Sequence, residues 1–280
     1  MFREDLKQFI ECQLNEMARN VVKKSVGNIT NRANNPFSLF DGDEEKYMAV
    51  GRSLDSQLGT RLQKIAFYCA RYRYGFLNVP NIVVMRENDG RLVVEFLSYP
   101  LDKGMTQQLY WGGHAMDYLS VSCRHAYVSS PEQFGVHIYE FQNVDINEIR
   151  NVITGQGKKI PMDLFFLDDS NAYVYEIKAG GNLDTKNKVE NKNEIIRLEK
   201  VFSMFENNKS KFATCYNNRG EGNSPDGAIF GMLDAEHKAI GRFFWEEILP
   251  LDEMTYDEFI ALYSEAFENA RVRDIIANGY

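Results

Sequence analysis

Apolar residues recur at helical spacing along the start of the chain. Leu6, Phe9, Ile10, Leu14, Met17 and Val21 fall on one stripe, which predicts an amphipathic helix over residues 3 to about 25. The Asn-rich segment Asn28 to Pro36 reads as a loop. A second helix is predicted from about Glu44 to Tyr72, with Leu54, Leu58, Leu62, Ile65, Ala66 and Cys69 on one side. Gly51 and Gly59 are where it is expected to bend or break. The period then shortens to two. Asn81 to Arg86 and Arg91 to Leu97 are strand-like, and Asn88-Asp89-Gly90 between them carries hairpin chemistry.

Leu101 to Gln133 has no clear period; Trp111-Gly112-Gly113-His114 within it reads as a loop, with Trp111 and His114 as packing and turn residues. Val136 to Phe141 is expected as a strand and Asp145 to Val152 as a short helix. The sharpest pattern follows. Met162 to Leu167 is a strand, Asp168-Asp169-Ser170-Asn171 a turn, and Ala172 to Lys178 a second strand. A long helix is predicted from Thr185 to Phe205, a strand at Phe212 to Tyr216, a polar loop at Asn217 to Asn223, and a strand at Ala228 to Leu233. Helices near 241–249 and 255–277 end the chain. Helices on both sides of a central sheet make an α/β protein.

Composition narrows the class. Of 280 residues, 44% are hydrophobic and 26% charged, which is ordinary for a globular domain. No run approaches the roughly 20 apolar residues of a membrane span. Cys12, Cys69, Cys123 and Cys215 are scattered and form no CxxC, so they read as reduced thiols of a cytoplasmic protein. The four histidines have no zinc-ligand spacing. Net charge is −8, which taken alone disfavours a nucleic-acid binder. The excess is local, however. Asp234 to Glu268 holds ten acids against Lys238 and Arg242, whereas Gly59 to Arg86 holds Arg61, Lys64, Arg71, Arg73 and Arg86 with no acid. An acidic back and a basic cleft are compatible with a polyanionic partner.

The candidate chemistry lies on the predicted hairpin. Glu176 and Lys178 are two apart on a strand and project together, while Tyr175 and Ile177 project the other way. The turn at 168–171 brings Asp163 beside them. Two carboxylates and an ammonium at one place suit phosphodiester hydrolysis: the carboxylates are hard ligands for Mg²⁺, the backbone carbonyl of Ile177 is a possible further ligand, and Lys178 is placed to orient water or stabilise charge. Glu-x-Lys alone is a common pattern; Glu190-Asn191-Lys192 repeats it. The hairpin setting, the Ala179-Gly180-Gly181 that follows, and the Lys- and Asn-rich helix beyond it set the first instance apart.

With these residues in hand, the chain resembles the type II restriction endonucleases of the PD-(D/E)xK superfamily. The motif stands as Pro161-Met162-Asp163 and Glu176-Ile177-Lys178-Ala179-Gly180. The resemblance implies a core with a central mixed β-sheet flanked by helices, metal-binding acids at Asp163 and Glu176, and a catalytic lysine at Lys178. Asn35-Pro36-Phe37, the helix around Gly59, the Lys178-Ala179-Gly180 ending and Gly241-Arg242-Phe243-Phe244-Trp245 further resemble the branch that cuts GGNCC-type interrupted palindromes. Met162 between Pro161 and Asp163 departs from the usual motif. The extra N-terminal acid of some members has no clear counterpart: Gln63 stands where it is sought, with Asp55 earlier on the same helix.

The expected function is therefore site-specific cleavage of double-stranded DNA at a short palindrome, with Mg²⁺. A homodimer matches a palindromic site, and the resemblance implies a cognate DNA methyltransferase. Candidate DNA contacts are Lys186, Asn187, Lys188, Asn191 and Lys192 at the start of the helix after the motif, and Asn217, Asn218 and Arg219 in the polar loop. One nuclease domain is expected over 1–280, with a catalytic core at about 76–240 and helical, dimer-forming elements at about 1–75 and 241–280. The competing readings are a structure-specific repair or resolvase-type nuclease and a non-catalytic DNA-binding protein.

Overall fold

The structure, a computed structural model, describes residues 2–32, 43–155, 157, 159–180, 185–225, 227 and 229–278, with the side chains of 25–32, 43–49, 185–187 and 278 outside that description. Asn35-Pro36-Phe37 and Gly181 lie outside the described residues. The chain divides into two compact units, residues 1–65 with 249–280, and residues 66–248.

The first unit is helical. Helix α1 (Phe2–Arg32) and the start of α2 (Asp43–Tyr74) are joined by α7 (Tyr256–Asn269) and α8 (Val272–Asn278). The predicted stripe of α1 is its buried face: Leu6, Ile10, Leu14, Met17 and Val21 are all buried. Its polar rim meets α7 through Lys7 and Glu265 at 2.7 Å, and Asn269 donates to Glu11 at 2.8 Å. The acids of α7 thus partly neutralise bases of α1. Helix α2 does not break at Gly51 or Gly59. In its first half the buried stripe is polar: Ser53, Gln57 and Arg61, spaced by four, are buried, whereas Leu54 and Leu58 are only half-buried. Arg61 donates from Nη1 to Glu16 at 2.7 Å and to Gln13 at 3.1 Å. A polar stripe reads as a solvated face in sequence; here Glu16 and Gln13 on α1 take up Nη1 of the buried guanidinium, while its Nε stays buried without a partner among the described residues.

The second unit holds two mixed sheets in place of the single central sheet expected. Strands β1 (Ile82–Asn88), β2 (Arg91–Ser98), β3 (Gln107–Trp111), β4 (Gly135–Phe141) and β5 (Lys159–Met162) form one, in the order β4-β2-β1-β3-β5. Strands β6 (Leu164–Asp168), β7 (Asn171–Lys178), β8 (Asn207–Thr214) and β9 (Lys238–Ile240) form the other, in sequence order. The predicted hairpins stand at β1–β2 and β6–β7, each with a positive-φ residue in its turn, Asp89 at 49° and Asp169 at 51°. Asp and Asn tolerate that conformation better than most residues. Helices α3 (Val121–Ser129), α4 (Ile146–Thr154), α5 (Thr185–Val201) and α6 (Arg242–Ile248) complete the unit, and Asp145 caps α4 by accepting the Glu148 N–H at 2.9 Å.

Sequence reading misplaced one strand. Ile229 to Leu233 form turns, and β9 at Lys238–Ile240 is the strand of that region. Ile229, Phe230 and Leu233 are apolar because they close a small cluster with Ile195 and Phe212, not because they join the ladder. The main core lies between the sheets and under α4 and α5. Phe96, Phe165 and Phe202 stack through it, with ring centroids 5.6 and 4.6 Å apart.

Candidate active site

Asp163 occupies the bend where the chain leaves one sheet for the other. Met162, the last residue of β5, pairs with Gln107; Leu164, the first of β6, pairs with Tyr175. Continuing that register by one residue sets Asp163 opposite Glu176. The buried Gln107 side chain holds the junction. Its Oε1 accepts the Phe165 N–H at 2.7 Å, and its Nε2 donates to the carbonyls of Phe165 at 2.8 Å and Pro80 at 2.5 Å. An amide side chain thus completes the β6 edge as a neighbouring strand does, leaving none of these buried backbone groups unpaired.

Strand β7 presents the other two groups as its alternation dictates. Tyr175 and Ile177 are buried on one face; Glu176 and Lys178 lie half-buried on the other. Lys178 Nζ donates to Glu176 Oε1 at 2.5 Å. The Ile177 N–H donates to Asp163 Oδ2 at 2.8 Å. Within a strand, one residue's N–H and C=O face the same edge. The Ile177 carbonyl therefore faces the edge where Asp163 sits, while the Lys178 carbonyl faces β8 and accepts the Cys215 N–H at 3.0 Å.

A cavity of about 340 Å³ opens here, lined by Lys159, Ile160, Pro161, Asp163, Glu176, Glu194 and Arg197. Burial, and then the adjacent Glu176 carboxylate, push the Asp163 carboxyl up to about 7. Burial draws Lys178 down, but Glu176 and Asp163 outweigh it and the net shift is upward. In the metal-free protein Lys178 is thus a fixed ammonium, which makes it a source of positive charge rather than a ready base. Glu194 is also raised, by burial and by Glu176, against the opposing pull of Arg197. Arg197 donates to Glu194 at 2.8 Å.

Glu194, Arg197 and Lys159 were not foreseen. Asp55 and Gln63, where an additional acid was sought, belong to the helical unit. The acid that shares the cavity with Asp163 and Glu176 is on α5, and its one sequence signal is its place beside the buried Ile195 and Leu198, at the edge of the helix's packed stripe. Among the described residues, no three or more His, Cys, Asp or Glu side chains are grouped to hold a metal ion by themselves.

Of the predicted DNA contacts, Lys188, Asn191 and Lys192 are half-buried on the first turns of α5, and the backbone of Lys186 and Asn187 belongs to its first turn. In the polar loop, Asn217 is occupied internally: it donates to the Asn223 carbonyl at 2.8 Å and accepts the Arg219 N–H at 3.0 Å. Asn218 and Arg219 are exposed. The acid-free run from Gly59 to Arg86 does not form a basic cleft of unpaired charges. Arg71 is buried, bonded to the carbonyls of Tyr99 and Val79 and to Asn81, and burial pulls its pKa down to about 10. Arg73 donates to the Glu246 carbonyl, and Arg86 to Glu95.

Residues 137–266 match the family described as type II restriction endonuclease, HinfI. The chain is a site-specific deoxyribonuclease. The matched segment is a little under half of the chain and contains Asp163, Glu176, Lys178, Glu194 and Arg197. Neither curated proteins nor solved structures give the endonuclease a match. No described helix is long and apolar enough to cross a membrane.

Proposed function

We propose that this endonuclease is a Mg²⁺-dependent enzyme of the PD-(D/E)xK kind that cuts both strands of a short, interrupted palindrome in double-stranded DNA. What carries the reading is the convergence of Asp163, Glu176 and Lys178 at the bend between the sheets. Burial, and then the neighbouring Glu176 carboxylate, disfavour the charged form of Asp163; a divalent cation offsets both by giving the two carboxylates a positive partner. Mg²⁺ commonly takes one or two carboxylates and completes its shell with water and phosphate oxygens, so a site without a third clustered acid fits it. Asp163 and Glu176 would hold the ion, with the Ile177 carbonyl on the same edge. When bound, it supplies Lewis-acid charge and lowers the pKa of water.

The chain's own groups do the rest. Asp163, locked to the Ile177 N–H, lines the cavity. Lys178 stabilises the negative charge that grows on the phosphate as water adds and the sugar oxygen departs. Lys159, on the cavity rim, binds an adjoining phosphate. Lys186, Asn187, Lys188, Asn191 and Lys192 and the exposed Asn218 and Arg219 extend the DNA contacts, with Asn217 shaping the loop. A homodimer would place one such site on each strand of a palindrome, with the helical unit as its contact surface, and a cognate methyltransferase would protect host DNA. Digestion of unmethylated phage DNA with Mg²⁺ and with EDTA tests the reading: discrete Mg²⁺-dependent fragments with a shared palindrome at their ends, GGNCC-type or otherwise, support it. Smears, or nicks confined to junctions and flaps, refute site-specific cutting.

A further inference from the structure

A second cavity, of about 230 Å³, lies in the same unit, against β1 and β3. Its lining includes Tyr110, Tyr118, Gln108, Thr106 and Lys103. Tyr110 and Tyr118 stack with ring centroids 3.8 Å apart and planes 17° from parallel, and Tyr118 is fixed by donating to the Gly112 carbonyl at 2.7 Å. The Tyr110 hydroxyl donates to Gln108 Oε1, which fixes the amide and leaves its NH₂ group without a hydrogen bond among the described residues. Lys103, the one cation among the described lining residues, is paired with Asp102 at 2.8 Å.

This lining selects a ligand class. With Lys103 engaged by Asp102 and the other described polar groups of the lining amides, hydroxyls and a thiol, the described lining is predominantly uncharged. A flat aromatic wall beside a fixed amide suits an uncharged planar heterocycle. The volume is below the ~300–1,000 Å³ of sites that enclose a whole drug-sized ligand, so it suits a single base rather than a nucleotide. Its position supplies the source. In the antiparallel β3–β5 pair, Gln108 stands opposite Pro161 and Tyr110 opposite Lys159. Pro161 and Lys159 line the catalytic cavity, so one ladder is the shared wall of the two cavities.

We infer that this cavity receives one unstacked base of the bound DNA, held by the Tyr110–Tyr118 stack and the Gln108 amide, while the adjoining backbone runs past Lys159 to the catalytic acids. Enzymes extrude bases at a cost in stacking that a fitted pocket offsets. The inference rests on the DNA-nuclease reading, and its test separates the two.

A duplex carrying the mapped cleavage site is prepared with a fluorescent analogue of the resident base at each position in turn, including 2-aminopurine and pyrrolocytosine. Binding is followed with Ca²⁺ replacing Mg²⁺, and cleavage of the same duplexes with Mg²⁺. The expected result is a severalfold emission rise at one position of each half-site, lost in Gln108→Leu and in Tyr118→Ala. Duplexes that are cut but show no rise at any position overturn the inference and leave the nuclease reading intact. A rise that persists in both variants overturns the assignment to this cavity. Binding of free nucleosides with no response from any duplex makes the cavity a small-molecule site and also overturns it. If wild-type enzyme cuts no DNA, both readings fall.

Discussion

Asp163 Oδ2 accepts the backbone N–H of Ile177 at 2.8 Å, so the carboxylate at the bend between the sheets is fastened to the strand residue that separates Glu176 from Lys178. The bond sets the spacing of all three groups. It also means that Asn can replace Asp163 without losing the contact, since the amide oxygen accepts equally well.

That isosteric change yields a prediction about pH. The Asp163 carboxyl rises from 3.8 to about 7 on folding. Below 3.8 both folded and unfolded chains hold the proton. Between 3.8 and 7 the unfolded chain loses it first, so stability falls as pH rises through this window and the loss is complete above 7. Metal-free Asp163→Asn is expected to be the more stable protein at pH 8, by on the order of 4 kcal/mol, with a flatter stability profile from pH 4 to 7. Urea denaturation across that range measures it; an unchanged slope speaks against a proton held by the acid pair.

Gln107 is predicted to matter beyond its distance from the chemistry. Replacing it by Leu strips partners from the Phe165 N–H and carbonyl and from the Pro80 carbonyl, all in a buried setting. Each unsatisfied buried group costs roughly 1–3 kcal/mol, so Gln107→Leu should lower the urea midpoint sharply. The same change should loosen Asp163 and slow cleavage by the molecules that remain folded. Near-wild-type stability in that variant means the β6 edge is held by something else.

A close approach at Gly180 offers a separate test. A Cβ there would meet the Tyr216 hydroxyl at 2.5 Å and its ring carbon at 2.6 Å. Gly180→Ala should therefore displace either the half-exposed Tyr216 ring or the backbone just after Lys178, and reduce turnover. Tyr216→Ala in the same chain should restore most of the loss, giving a coupling of roughly 0.5–3 kcal/mol in a double-mutant cycle. Additive effects would mean the two residues act independently.

The proximity of the three candidate groups was legible in the sequence because alternation and a turn are local: Glu176 and Lys178 share a face, and the 168–171 turn folds Asp163 back to them. The division into two sheets was not legible there. β5 and β6 are contiguous in sequence, and only the long-range pairing of Met162 with Gln107 and of Leu164 with Tyr175 reveals that Asp163 is a bend, not a strand residue. Glu194 stayed hidden for a similar reason: a carboxylate on a helix that is also rich in Lys and Asn looks solvated until the helix is packed over the sheet. The misplaced strand at Ala228–Leu233 and the polar stripe of α2 are the converse cases. Apolar residues closed a satellite cluster, and in the polar stripe Arg61 is buried with Glu16 and Gln13 as partners of its Nη1. Arg71 and Arg86, counted as potential DNA cations, serve the fold.

Single-turnover cleavage of a duplex carrying the mapped site, beside its equilibrium binding in Ca²⁺, tests the central claim most directly when wild type is compared with Lys178→Ala. The account predicts binding within a few-fold of wild type and a cleavage rate in Mg²⁺ lower by roughly 10²–10⁴, because Lys178 acts on charge that appears during the reaction. Cleavage by Lys178→Ala at the wild-type rate would contradict the assignment of the active site to the bend at Asp163 and the end of β7.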